Sequence, residues 1–360
     1  MRLLARIALA VAALAWVASA ADTTLTWRGK KLDLAALPPE LPADARVAVE
    51  SFSAWAAEHD YRLDLDTSAR ALVVSAKDGA KWVKRAEAVL ALADETFDGR
   101  AGAASNEEPS GTATASPVAW GSGARVPNTG TFVLAVVRTP KDHPALLARL
   151  AELSPYLSSW AKGSTPTPGF ALEEPLAGAV VLGLPENKEW NADNEFVHRA
   201  AELAFHRRFG RQPYWMLQGF AWHAEQSLCR GIYCFPYRTG FVRAVEHTGW
   251  RARLGKLWRE KPEPKLTELA TLRRGSFEDV AALQAWGTMA YLCEHSGPAL
   301  DTAMRELHEL WEKNSRRDLG GGAWERVPEY EIPVPEQEQV FLKHVPADSL
   351  ARIRAWFVGT

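Results

Sequence analysis

The spacing of hydrophobic and polar residues divides the chain into three regions, the first of which covers residues 21–98. Residues 46–59 and 80–92 carry apolar positions three and four apart, the spacing of one helix face. Residues 61–66 and 71–76 are short apolar runs on either side of a polar turn, as expected of two strands. The first region is therefore predicted to be a small α+β unit.

The second region, residues 99–130, shows little apolar periodicity. It is rich in Gly, Ala, Ser, Thr, Pro and Asn, which is typical of a linker or a long surface loop. No internal repeat is present in the chain. This segment is predicted to separate the N-terminal unit from a second domain.

The third region, residues 131–360, is predicted to begin with a strand, a helix and a second strand, at residues 131–138, 144–161 and 177–184. Helical spacing then dominates. It occurs in residues 196–225, 238–250, 277–295, 299–314 and 347–358. The predicted fold class is α+β, with a small mixed sheet followed by a mainly helical subdomain and preceded by the small N-terminal α+β unit.

The first twenty residues have the order of a secretory signal peptide. Arg2 and Arg6 precede the apolar residues 7–17, and the small residues 18–20 offer a cleavage position. This apolar run falls short of the ~20 residues that a spanning helix needs, and no later run is long enough. The mature protein is predicted to begin near Ala21, to be periplasmic or extracellular, and to have no membrane span.

The composition argues against one class of partner. Hydrophobic residues make up 47% of the chain, charged residues 24%, and the net charge is -2. Such a chain can bury a sizeable core but lacks the basic excess that binds phosphate backbones. No nucleic-acid partner is expected.

The cysteines are compatible with an oxidising compartment. Cys229 and Cys234 are separated by four residues, including Gly231, which allows a turn, so a local disulfide is predicted. Cys293 lies in an apolar run and is interpreted as a buried thiol. A bridge between Cys293 and one of the other two is the open alternative.

Candidate chemistry is concentrated in residues 196–225, FVHRAAELAFHRRFGRQPYWMLQGFAWHAE. One predicted helix ends near Gly210, and a second follows Pro213. Two zinc ligands four residues apart on a helix face the same ion, a glutamate beside them can act as general base, and a third ligand on the next helix completes the site. The segment has the frame of such a site.

The segment resembles the gluzincin or peptidase MA-like metallopeptidases, whose members often read HExxHxxxHxxxGxxPxWLxEGLAEYxE. The matching positions are His206, Gly210, Pro213, Trp215, Gly219, Ala221 and Glu225. The resemblance covers roughly residues 131–360 and implies a zincin-like helical subdomain with a substrate groove. It also implies that His206, Trp215 and Glu225 line the groove or support the ligands.

The reactive positions of the family are mostly replaced. In the alignment implied by the resemblance, His198 occupies the position of the first zinc-binding histidine and Arg199 that of the general base. Glu202 occupies the position of the second histidine, and Gln218 that of the third ligand. An arginine remains protonated and cannot act as a base, and its charge repels a divalent ion. No residue is therefore assigned as catalytic.

Two hypotheses about function follow. In the first, the protein is a secreted, catalytically inactive relative that holds no cofactor and binds polypeptide or cell-envelope material in the former groove. In the second, it is an active zinc-dependent peptidase whose rearranged metal site uses His198 and Glu202. His206 lies about 12 Å along the helix from His198, too far to share one ion. Glu225 lies about 10 Å along its helix from Gln218 and could join only if the two helices slide.

The first hypothesis predicts a specific cluster. Glu202 needs a cation if no metal is present, and Arg199 is within reach three residues earlier on the same helix. Gln218 can then offer its amide NH2 to the same place. A third idea assigns an anion-binding patch to His206, Arg207, Arg208 and Arg211.

Overall fold

A computed structural model describes residues 24–98, 129–183, 190–237, 246–260, 266–273, 277–320, 323–327, 330–346 and 348–359. The predicted signal peptide and residues 99–128 of the predicted linker lie outside the described residues. The contacts divide the chain into two compact units. The first contains the described residues 24–88 and 129–183, and the second contains residues 89–98 and those from 190 onward.

The first unit contains seven strands and four α-helices among the described residues. In chain order they are β1 (Leu25–Trp27), β2 (Lys30–Leu32), α1 (Ala43–Glu58), β3 (Arg62–Leu65), β4 (Ala71–Ser75), α2 (Gly79–Asp98), β5 (Phe132–Val137), α3 (His143–Leu153), α4 (Ser158–Gly163), β6 (Gly169–Leu172) and β7 (Ala177–Val181). The division between the two units falls within α2, after Ala88.

All seven strands belong to one mixed sheet with the order β2-β1-β3-β4-β5-β7-β6. β4 and β5 pair in parallel, with Ala71 opposite Phe132. Every residue of both strands is buried, as expected of strands covered on both faces at the centre of a sheet. Strands before and after the predicted linker therefore share one sheet, and the contacts divide the chain elsewhere than the sequence predicted.

The predicted helix at residues 144–161 is wrong in one respect: it is interrupted. α3 ends at Leu153, Pro155 begins a short 3-10 turn, and α4 starts at Ser158. Proline lacks an N–H and its ring clashes with the preceding turn of an α-helix. The apolar spacing alone did not show this break.

The second unit is mainly helical. Its elements after α2 are α5 (Ala192–Phe209), α6 (Tyr214–Cys229), α7 (Trp250–Glu260), α8 (Leu266–Ala270), α9 (Asp279–His295), α10 (Gly297–Asn314), β8 (Arg316–Gly320), β9 (Ala323–Arg326), α11 (Val334–His344) and α12 (Ser349–Val358). Most of the predicted helix at residues 238–250 lies outside the described residues, and α7 begins only at Trp250.

α6 packs against both α5 and α9. Gly219 permits the approach of α9, because a Cβ at this position would lie 2.7 Å from the carbonyl oxygen of Ala285. Gly210 ends α5 with a φ of 61°, a conformation that favours glycine. Glycine is therefore required at both positions, at Gly219 by the packing of two helices and at Gly210 by the backbone conformation.

The predicted α+β fold class is confirmed. Among the described residues, no helix combines the length and apolar character that crossing a membrane requires.

Candidate functional site

Five of the polar side chains that α5 and α6 bury in the second unit form a cluster. His198 and Glu225 are fully enclosed, Gln218 is 1% exposed, Glu202 5% and Arg199 6%. Buried polar groups at this density require partners, since each unpaired one costs about 1–3 kcal/mol. Each of these five side chains has at least one hydrogen-bond partner.

The N-termini of the two helices fix where these residues lie. The Asn191 side chain caps α5 by accepting hydrogen bonds from the backbone N–H groups of Asp193 and Asn194. Pro213 directly precedes α6, where its lack of an N–H costs nothing. The two helices are joined by only a few residues around Gly210, so their polar faces meet.

His198 lies between two side chains of α6. Its Nδ1 is 2.8 Å from Glu225 Oε1, and its Nε2 is 3.2 Å from Gln218 Oε1. Glu225, which was expected to join the site only if the two helices slide, contacts His198 directly. The imidazole ring has nitrogens on opposite sides and therefore reaches two groups that are separated along α6.

Glu225 is surrounded by hydrogen-bond donors. Its Oε2 accepts from Asn194 Nδ2 at 2.9 Å, from the Tyr233 backbone N–H at 2.8 Å and from the Cys234 backbone N–H at 3.3 Å. With His198 on its other oxygen, this buried carboxylate is satisfied without a cofactor. Glu225 also fastens the segment after α6 to α5.

Arg199 connects two carboxylates of its own helix. Its Nη1 donates to Glu202 Oε2 at 2.9 Å, and its Nε donates to Glu195 Oε1 at 2.9 Å. Its Nη2 donates to Cys234 Sγ at 3.3 Å. Burial alone lowers the pKa of Arg199, but Cys234, Glu195 and Glu202 together raise it well above its ordinary value. The guanidinium is therefore a permanent cation at the centre of the cluster.

Glu202 has a partner on each oxygen. Arg199 occupies Oε2, and Gln218 Nε2 donates to Oε1 at 2.6 Å. Burial alone raises the pKa of Glu202, but Arg199, His198 and Gln218 outweigh it and lower the pKa below its ordinary value. The pairing of Arg199 with Glu202 and the amide donation from Gln218 are the contacts that the sequence predicted.

The Gln218 amide lies between Glu202 and His198 and contacts both side chains. A carboxylate only accepts, so the amide nitrogen of Gln218 must face Glu202 and its oxygen must face His198 Nε2. Glu225 presents a second acceptor to Nδ1. Both ring nitrogens of His198 therefore face oxygen atoms of α6 side chains.

The cluster does not fit zinc. The predicted pair approaches to 3.8 Å between His198 Nε2 and Glu202 Oε1, but Arg199 and Gln218 occupy the oxygens of Glu202. Both ring nitrogens of His198 already contact side-chain oxygens, Glu225 Oε1 at Nδ1 and Gln218 Oε1 at Nε2.

A second set of donors lies nearby but does not change this conclusion. His198, Glu225 and Cys234 have ligand atoms within 4.8 Å of one another. A cysteine binds zinc as the thiolate. Burial raises the pKa of the Cys234 thiol well above its ordinary value, which favours the protonated form. Arg199 also donates to the sulfur atom and places a positive charge where the ion would sit.

The remaining predicted site residues lie elsewhere. His206 Nδ1 is 3.3 Å from the carbonyl oxygen of Gly210, at the end of α5. Trp215 is fully buried, with its ring centroid 6.3 Å from that of Phe341. Trp215 is therefore a core residue and does not line a groove.

The predicted disulfide between Cys229 and Cys234 is not formed, and Cys293 forms none either. Cys234 is 2% exposed, and its sulfur accepts the hydrogen bond from Arg199. Its carbonyl oxygen also accepts from Trp222 Nε1 at 2.9 Å, which fixes the backbone. The short spacing in sequence therefore does not bring the two thiols together.

The idea of an anion-binding patch at the end of α5 is not supported. Arg208 is 6% exposed and pairs with Asp98 at 2.5 Å and with Asp301 at 2.7 Å. Arg211 lies over the Trp311 ring at 5.6 Å. Arg208 thus links α5 to the end of α2 and to α10.

An aromatic group separates the cluster from a surface hollow. The Trp222 ring is 6.2 Å from the ring of His198 and 6.0 Å from the rings of Tyr237 and Phe277. The hollow beyond it has a volume of about 350 Å³ and is lined by Tyr237, Phe277, Glu278, Asp279 and Val280.

Sequence reasoning missed Glu195, Asn194 and Cys234 as members of the cluster. Glu195 lies four residues before Arg199, a spacing at which opposite charges meet on a helix. This ion pair was therefore predictable from the sequence. Cys234 and the Tyr233 backbone belong to a segment outside both helices, and no spacing signal shows that it returns to α5.

Neither a scan against models of known protein families nor a search of curated proteins finds a match for this chain. The resemblance to gluzincins stays a prediction carried by the residues of α5 and α6.

Proposed function

We propose that this protein is an exported, non-catalytic binding protein on a metallopeptidase-like helical frame, in which an ionic cluster stands where the metal would lie. Its ligand is polypeptide in extended or unfolded form. The observation that carries this proposal is the pair of bonds to Glu202, from Arg199 at 2.9 Å and from Gln218 at 2.6 Å.

These bonds remove the groups that hydrolysis needs. A zinc peptidase requires three ligands with free lone pairs, an open position for water and a nearby base. Here Arg199 replaces the base with a permanent cation, and each oxygen of Glu202 already accepts a hydrogen bond. Restoring the site would mean breaking several buried charge-assisted hydrogen bonds, each worth about 1.5–3 kcal/mol.

The enclosure of the cluster also supports a structural role. His198 and Glu225 are fully buried, so neither is placed to contact a substrate. The hydrogen bonds of Glu225 to the backbone of Tyr233 and Cys234 instead hold in place the segment that leads to Tyr237 and the hollow. The former catalytic position would thus support a binding surface.

The test is a paired binding and cleavage assay with fluorescently labelled casein, an unstructured polypeptide. We expect the anisotropy of the label to rise on adding the protein, without release of acid-soluble fluorescence. Cleavage that a metal chelator abolishes would support the alternative, a zinc-dependent peptidase that uses His198 and Glu202. Absence of both binding and cleavage would rule out the proposed role.

A further inference from the structure

The hollow beside Trp222 combines aromatic walls with carboxylates. Tyr237 and Phe277 have ring centroids 6.1 Å apart and planes inclined by 43°, so the two rings form a bent wall. The Tyr237 hydroxyl donates to Asp279 Oδ1 at 3.0 Å, which fixes the orientation of the Tyr237 ring. Aromatic faces attract cations through their negative quadrupole.

Glu278 supplies an accessible negative charge at the same place. It is exposed and occupies the N-cap position of α9, but its side chain makes no capping hydrogen bond. Among the described residues, no lysine or arginine forms an ion pair with it. Its carboxylate therefore has no hydrogen-bond or ion-pair partner among the described residues.

The charge balance of the hollow favours a cation. Glu278 gives the described lining one negative charge, whereas Asp279 is already engaged by the Tyr237 hydroxyl. The N-terminus of α9 opposes this with the equivalent of about half a positive charge. The charge of Glu278 exceeds this half charge, so an anionic ligand is disfavoured.

The size of the hollow limits what it accepts. Its volume of about 350 Å³ is near the lower end of ligand pockets. A long unbranched side chain fits such a space, whereas several residues of a polypeptide do not. An aliphatic stem along the rings with a charged end at the carboxylates matches both features of the lining.

We propose that this hollow binds the cationic side chain of a lysine or arginine in a bound polypeptide. The inference rests on the proposed function, since it names the chemistry by which the binding protein selects its ligand. It assigns the walls to Tyr237 and Phe277 and the charge recognition to Glu278.

The experiment compares three acetylated, amidated pentapeptides by isothermal titration calorimetry at low ionic strength. Their central residues are lysine, norleucine or glutamate, between alanines. We expect the lysine peptide to bind at least about threefold more tightly than the norleucine peptide, and the glutamate peptide to bind most weakly. Added salt should reduce the difference, because exposed charges are screened.

Two variants locate the effect. Glu278→Gln should remove most of the preference for lysine over norleucine. Glu294→Gln, an exposed glutamate near the other end of α9, is the matched control and should leave the preference unchanged. Both positions are exposed, so folding should survive, which circular dichroism verifies.

The outcomes separate this inference from the proposed function. Equal binding of the lysine and norleucine peptides, or an unchanged preference in Glu278→Gln, overturns the inference while polypeptide binding stands. Binding of casein without binding of any pentapeptide also overturns the inference alone. Absence of binding to casein and to all pentapeptides overturns both.

Discussion

Replacing Arg199 with methionine tests whether the buried cluster holds the second unit together. Methionine keeps the length of the aliphatic stem but leaves Glu195 and Glu202 without their shared cation. Removing one partner of a buried ion pair costs about 3–5 kcal/mol. Two carboxylates are affected, but Glu202 keeps the bond from Gln218 at 2.6 Å, so we expect a loss within this range rather than twice it.

This loss is large for a folded domain, whose whole unfolding free energy is about 5–15 kcal/mol. It is measurable by urea unfolding followed by tryptophan fluorescence and by far-ultraviolet circular dichroism. Arg259→Met, at an exposed position in the last turn of α7, is the matched control and should change the unfolding free energy by less than about 0.5 kcal/mol.

A double-mutant cycle then assigns the effect to the pair. Glu202→Gln removes the charge that Arg199 neutralises, so adding it to Arg199→Met should cost less than it does in the wild type. We expect a coupling free energy of about 1–3 kcal/mol. A loss below about 1 kcal/mol in Arg199→Met, or no coupling in the cycle, would refute the claim that Arg199 supports a buried cluster.

Three further predictions concern a buried histidine, the thiols and the N-terminus. Burial lowers the pKa of His223 to about 4 from an ordinary value of 6.5. Its contribution to the free energy of unfolding is therefore fully present above pH 6.5 and is lost as the pH falls toward 4. Stability should fall over that window in the wild type and less so in His223→Leu, whereas parallel curves would contradict this assignment. In denaturant without reductant, Cys229, Cys234 and Cys293 should all react with a thiol reagent, and a single reactive thiol would restore the predicted disulfide. N-terminal sequencing should show that the exported protein begins near Ala21, and an intact Met1 terminus would count against export.

Part of the site could be predicted from the sequence, because contacts within a single helix follow from residue spacing. Arg199 and Glu202 lie three residues apart on α5, so their contact follows from helix geometry. The position of Gln218 followed from the glycine and proline frame around the turn between α5 and α6. The fold class was likewise predictable from the alternation of buried strands and helices.

The rest depends on tertiary contacts that carry no periodic signal. The position of His198 between Gln218 and Glu225 depends on how α5 and α6 cross. The contact of Cys234 with Arg199 depends on the path of the chain after α6. Strands of three or four residues such as β1 and β6 are too short to show alternation. The pairing of β4 with β5 joins residues on either side of the predicted linker, and local patterns cannot show such a contact.

The most direct test of the central claim is the zinc content of the wild-type protein beside that of His198→Ala. Both proteins are dialysed against excess zinc, freed of unbound metal and measured by atomic absorption, with casein cleavage assayed on the same samples. If the ionic cluster replaces the metal, both proteins hold well below one zinc per chain and neither cleaves casein. One zinc per wild-type chain that is lost in His198→Ala, together with cleavage by the wild type alone, would contradict the account.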